Sequence, residues 1–385
     1  MECLNYKLFF SLLRVSLWHR TEDQQQLEAL LAQEKEGWPS VLASLDEHAL
    51  IGVVADAILS LPAELQPDAK QQGRLMQQMA SMSLYRYQTQ QAIVEVVTRL
   101  EEADCHPILL KGEGLTQLYP ERCLRASGDV DVYVGEKDFE QAVACINALC
   151  TPEAVEHGKY GNHDYSIQYR GIPFEIHFKP GYAAVERCEE QFQQLARTWL
   201  VPERCDHITL LGKEILTPAQ QYNILYVFEH LARHYRNSEL GIRQFLDWSL
   251  ALDRLTFDEM TLRHDLERLD ELKAWQRLAG ILQQYLGVKA VPFLDTAPTP
   301  RRTDRILNAV MRRGNFAQRL DEMDQRGGFF HLASLYQQSR DVALIYPNYA
   351  HRWFLRQLKT SILGVLSNPL NKLRHRNNTS SDLLL

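Results

Sequence analysis

The heptapeptide from Gly128 to Val134, GDVDVYV, constrains this chain more than any other feature, because it sets two carboxylates at strand spacing directly after a glycine. Successive side chains of a strand point to opposite faces, so Asp129, Asp131 and Tyr133 share one face while Val130, Val132 and Val134 face a core. Two neighbouring acids repel and raise each other's pKa unless a cation sits between them. Hard oxygen ligands in such a pair suit Mg²⁺, which binds through one or two carboxylates and completes its shell with water and substrate phosphates. The dipeptide alone also fits a solvent-facing strand edge on which acids do no chemistry. The flanking segments weigh against that.

Upstream, HPILLKG (His106 to Gly112) reads as a short buried strand that ends in Lys111 and Gly112, followed by a short helix through Tyr119. A lysine and a glycine at a strand-to-helix turn give a backbone able to approach a phosphate and a point charge to hold it. Downstream, IPFEIHFK (Ile172 to Lys179) alternates again, with Phe174, Ile176 and Phe178 on one face and Glu175 and His177 on the other. If the two strands pair, Glu175 lies beside Asp129 and Asp131 in a three-carboxylate cluster of the kind that holds two metals for in-line phosphoryl chemistry.

These segments carry a resemblance. LLKG at Leu109 to Gly112, the pair Tyr119-Pro120, RASGDVDVYV from Arg125 to Val134 and FEIHF from Phe174 to Phe178 resemble the polymerase-beta-like nucleotidyltransferases, specifically an uncharacterised bacterial branch. The likeness is strong over roughly the middle third of the chain and weaker in the flanking helices. It implies that Asp129 and Asp131 bind both metals and that Glu175 completes the site of the metal that activates the attacking hydroxyl. Gly128 and Gly112 belong to the same turns, and Lys111 and Arg125 are the candidates for holding the polyphosphate; either cation could instead cap a strand end. The chain departs from the superfamily at the phosphate-binding turn, where Lys111-Gly112-Glu113-Gly114 replaces the usual glycine-serine pair. That departure bears on triphosphate binding more than on metal binding.

At 385 residues the chain is long enough for two or three domains with substantial cores. Its 42 basic and 49 acidic residues leave a net charge of −7, which argues against a wholly basic nucleic-acid-coating surface, though not against a local one. Seven cysteines, widely spaced and without C-x-x-C, suggest neither a disulfide framework nor a zinc site, and a reducing cytoplasm fits them. The apolar N-terminal run is preceded by Glu2, interrupted by Arg14 and followed by no small-residue cleavage site, so it reads as an amphipathic core helix. No run reaches the length of a membrane span.

Pro39 and Pro62 punctuate a helical region over 1–68, and a long helix from about Ala69 to Ala103 leads into the sheet of an α/β core over 69–216. Ile208 to Leu216 reads as a small hairpin or extended connector, and TPAQ (Thr217 to Gln220) reads as a capping box that opens a helical domain over 217–385. His230 and His234, at i and i+4, share a helix face. Zinc can use that spacing, but Leu231 stands where a zinc protease carries its glutamate, and a polar face lining a cleft is the alternative. Arg243 and Asp247 read as a surface pair, although histidines here and an aspartate like Asp247 recur in the resembling family. From His351 to Arg376, basic residues among Trp353, Phe354 and Leu355 fit either a final helix with a solvated basic face or a weak contact with a membrane surface or polyanion.

The expected architecture is α+β: a small mixed sheet with helical regions on both sides. The expected function, implied mainly by the resemblance, is Mg²⁺- or Mn²⁺-dependent transfer of a nucleoside monophosphate from an NTP to an acceptor such as a sugar, small metabolite, protein or RNA end. Two alternatives remain open, a catalytically silent nucleotide- or partner-binding module of the same fold and a two-metal phosphohydrolase.

Overall fold

The computed structural model describes residues 2–33, 37–294, 299–313 and 329–367. Four helices open the chain: α1 (Glu2–Trp18), α2 (Thr21–Gln33), α3 (Trp38–Glu47) and α4 (Ile51–Leu59). The apolar run at the start is a core helix, with Leu8, Phe9, Phe10, Leu12 and Leu13 all buried. Helix α5 (Ala69–Glu102) begins at a reciprocal cap, in which Asp68 Oδ1 accepts from the Gln71 amide at 2.8 Å and Gln71 Oε1 accepts from the Asp68 amide at 3.2 Å. Its last turns bury Ile93, Val96, Val97 and Leu100 against the sheet.

The sheet is mixed and seven-stranded. Its strands are β1 (Ile108–Leu109), β2 (Val130–Tyr133), β3 (Lys159–Tyr160), β4 (Asp164–Tyr169), β5 (Ile172–His177), β6 (Asp206–Leu210) and β7 (Lys213–Thr217), in the order β3-β4-β5-β2-β1-β7-β6. Strands β2 and β5 run parallel and β1 runs antiparallel to β2. The extended segment around Ile208 is a hairpin that also enlarges this sheet, because β7 lies parallel beside β1.

Alternation gives the sheet two different faces. Val130, Val132, Phe174 and Ile176 join α5 and α6 (Gly135–Leu149) in one apolar cluster. Each such side chain contributes roughly 1.5–3 kcal/mol through its burial. Tyr133, on the opposite face, belongs to a second cluster built from α1 to α4 and the C-terminal helices. Those helices are α9 (Gln220–Asn237), α10 (Ile242–Arg254), α11 (Glu259–Arg268), α12 (Leu272–Gln284), α13 (Pro300–Arg313), α14 (Phe329–Val342) and α15 (Pro347–Ser367), which follow the short α7 (Pro152–Glu156) and α8 (Glu189–Trp199). The N-terminal helices and the segment after α12 meet in this second cluster: Trp18 Nε1 donates to the Leu286 carbonyl at 2.6 Å and Arg20 to that of Gly287 at 2.8 Å.

Two local expectations change. Thr217 does not cap α9, because it still pairs in β7; the Gln220 amide is satisfied by Asp206 Oδ2 at 2.8 Å, across the hairpin. Arg243 and Asp247 are not a surface pair, because both side chains are buried between α10 and the loop before β2. In α15, Trp353 is buried while Arg352, Arg356 and Lys359 are exposed, and Arg356 reaches Glu186 at 3.2 Å. The basic residues from Lys372 onward lie outside the described residues. Among the described residues no helix is long and apolar enough to cross a membrane.

Candidate active site

The parallel pairing of β2 with β5 builds the site. Its register sets Asp131 directly beside Glu175 and Tyr133 beside His177, so two of the three carboxylates expected to cluster, Asp131 and Glu175, share one face. Asp131, Glu175 and His177 each offer a ligand atom, and those atoms lie within 4.8 Å of one another. Asp129 precedes the strand and is half-buried, and Gly128 is exposed with open space around its Cα.

Asp131 is 1 % exposed, and its two oxygens differ. Oδ1 takes Lys111 Nζ at 3.0 Å and His177 Nε2 at 3.0 Å. Oδ2 is buried without a hydrogen-bond partner. Burial pushes the Asp131 carboxyl up, but the Lys111 ammonium and the His177 imidazole together outweigh it and hold the group below its ordinary range. His177, which also lies 3.4 Å from Glu175 Oε2, responds in the opposite sense. Burial lowers its pKa, yet its hydrogen bonds to Asp131 and Glu175 raise it to about 9. Through Nε2 the imidazole reaches both acids, at 3.0 and 3.4 Å, and so orients them. Asp129 is pushed up, first by the charge of Asp131 and then by burial. An acid destabilised by its neighbour, beside a buried carboxylate oxygen with no partner, makes the grouping of Asp131, Glu175 and His177 a candidate cation site, with Asp129 outside it.

The turn after β1 supplies Lys111. Gly112 follows at φ +48°, where a Cβ would stand 3.4 Å from the Asp129 carbonyl, and a 3₁₀ helix covers Gly112–Leu118. Arg125 is placed elsewhere. Its Nε and Nη2 grip Asp247 Oδ1 and Oδ2 at 2.7 and 2.8 Å, and the Tyr119 hydroxyl donates to Oδ1 at 2.8 Å. Arg243 donates to the Ala126 carbonyl at 2.7 Å, so α10 anchors the loop that delivers Asp129.

Helix α9 faces the acids from above the sheet. The imidazoles of His230 and His234 are 4.4 Å apart, but the grouping of Asp131, Glu175 and His177 is the single three-ligand cluster among the described residues, and neither α9 histidine belongs to it. They stand as a polar face, His230 taking a hydrogen bond from Arg233 and His234 lying 3.4 Å from Glu239. Sequence reasoning did not single out Arg233, Tyr226 or His163. His163, whose ring centre is 5.3 Å from that of His177, is driven down to about 4 by burial and by the His177 charge.

Two openings lie on the described surface, one beside the loop that carries Arg125 and one that Glu175 lines. A cleft of about 760 Å³ includes Arg74, Met82, Tyr85, Arg86, Arg125 and Ser127 in its lining, and one of about 410 Å³ includes Lys159, Ser166, Gln168 and Glu175.

A family model described as uncharacterised nucleotidyltransferase matches residues 34–287, a span that contains every residue of this site. No curated protein and no solved structure matches the chain.

Proposed function

The chain belongs to this nucleotidyltransferase family, and on that premise we propose that it moves a nucleoside monophosphate from a nucleoside triphosphate to an acceptor and releases pyrophosphate. The observation that carries the proposal is the register that sets Glu175 beside Asp131, with Asp131 Oδ2 buried and unpartnered. Asp129, Asp131 and Glu175 would hold Mg²⁺ or Mn²⁺, which supplies charge neutralisation to the phosphates and to the attacking oxygen. An acceptor hydroxyl oxygen bonds to the α-phosphorus and gives up its proton to solvent, the bond to the bridging oxygen of the β-phosphate breaks, and pyrophosphate leaves with that bond's electron pair. The protein's own contribution is positioning. His177 and Lys111 fix the Asp131 carboxylate, and the Arg125–Asp247 pair with Arg243 fixes the loop that carries Asp129.

One observation favours a second reading. Lys111 and His177 already neutralise Asp131 from within the protein, as in a module that binds nucleotide without turning it over. The test is incubation with each α-³²P-labelled NTP and Mg²⁺ or Mn²⁺, with cell extract as the acceptor pool. Asp131→Asn, which keeps an acceptor at Oδ1 and removes the charge, is expected to lower label transfer at least about 100-fold. Full transfer by that variant would sink the assignment, and metal-dependent binding without transfer by the wild type would favour the silent module.

A further inference from the structure

The cations that the sequence nominates for the polyphosphate are engaged inside the protein. Lys111 Nζ sits on Asp131, and Arg125 is held by both oxygens of Asp247. The glycine-serine turn that would otherwise hold a triphosphate is absent. A tetra-anionic substrate therefore needs a counter-charge from another element.

Arg233 of α9 has the right character. It donates to His230 Nδ1 at 3.0 Å and to the Tyr182 carbonyl at 3.3 Å, both uncharged acceptors, and it makes no ion pair among the described residues. The loop after β5 is shaped around it. Gly181 has φ +135°, and a Cβ there would overlap Arg233 Nη1, so glycine leaves the guanidinium its place. That loop is pinned from two helices, by Gln193 Nε2 on the Gly181 carbonyl at 2.8 Å and by the Tyr226 hydroxyl on the Pro180 carbonyl at 3.0 Å. Because His230 accepts at Nδ1, its hydrogen is on Nε2. His230 lines a small cavity of about 20 Å³ with Lys111, Arg125, Arg243 and the Asp247 that Arg125 holds, space for about one oxygen-sized group.

We propose that Arg233, with the Nε2–H of His230, forms the subsite for the terminal phosphates of the nucleoside triphosphate, in the place of the missing glycine-serine turn. The inference rests on the function proposed above. Guanidinium suits the task because its planar fork meets phosphate oxygens in pairs.

The test titrates the full chain with Mg²⁺ and, in turn, inorganic tripolyphosphate, a nucleoside triphosphate and the matching monophosphate. Arg233→Gln is expected to weaken tripolyphosphate and triphosphate about 10-fold or more and to leave the monophosphate unchanged. Arg233→Lys should recover part of the loss. Gly181→Ala, which crowds the guanidinium without removing its charge, serves if Arg233→Gln fails to fold, and the same selective loss is expected of it. Unchanged triphosphate affinity, or equal loss for triphosphate and monophosphate, would overturn the subsite. If the wild type transfers label while Arg233→Gln binds triphosphate normally, transfer stands and the subsite fails. If tripolyphosphate binds through Arg233 yet no label moves, the subsite stands and transfer fails. A wild type that binds neither anion removes both.

Discussion

Asp131 divides its labour between two oxygens, and that division makes the site testable one atom at a time. Oδ1 is spent on Lys111 and His177, while Oδ2 is left free of protein donors. His177 acts only through the acids it orients, so His177→Phe should weaken Mn²⁺ binding about 10–100-fold, and His177→Gln, which keeps a donor, should recover part of the loss. Calorimetric titration with Mn²⁺ checks this, and unchanged affinity would reduce His177 to packing. The acids were legible in the sequence because strand alternation is local: GDVDVYV and IPFEIHFK each display their own two faces, and the valines and Phe174 declare which one is buried. Arg125 was not legible in the same way. Its partner lies 122 residues away, and a lone arginine before a strand gives no sign of whether it will meet a phosphate or a buried aspartate.

At the scale of the element, α9 is a partition with a different chemistry on each side. His230 faces the site, Glu229 is buried on the other side near Arg236, Glu189 and Glu271, with Oε2 on the Ala184 amide at 3.0 Å and Oε1 unpartnered, and the Arg233 charge is felt on both sides, by Lys111 and by Glu229. Burial pushes the Glu229 carboxyl up to about 7, against an ordinary value near 4.5. Between those values the unfolded chain has released this proton and the folded chain has kept it. Stability from this group is therefore complete below about pH 4.5 and is lost as pH rises through about 7, a loss on the order of 3 kcal/mol. The melting temperature should fall between pH 5 and pH 8, and Glu229→Gln should flatten that slope; an identical slope in the variant would remove Glu229 as its source. Element starts were legible only where the signal is local. Asp68 and Gln71 announce α5 three residues apart, whereas the start of α9 depends on Asp206 from the preceding hairpin, and TPAQ imitates a cap that the β7 pairing of Thr217 prevents.

Across the whole molecule, the site and the C-terminal helices are joined by the Arg125–Asp247 pair, buried with 7 % and 6 % of its side chains exposed. Removing one partner strands a buried charge, so Asp247→Ala should cost about 3–5 kcal/mol, read from the denaturant midpoint, and should weaken metal binding through the loop to Asp129. A midpoint unchanged within error would mean that solvent reaches Arg125 freely. This long-range tie was hidden for the same reason that β7 beside β1 was: periodicity reports which face of an element is buried, and never against what.

The hydrogen bond from Trp18 to Leu286 spans 268 residues, and it has a consequence for how the chain comes into being. At ribosomal speeds of about 5–20 residues per second, on the order of 15–50 s separate the synthesis of Trp18 from that of Leu286. Through that interval α1 has α2, α3 and α4 to pack on but lacks Tyr285 and Leu286, so the seam that Phe10 and Trp18 make with them closes after the rest of the N-terminal cluster.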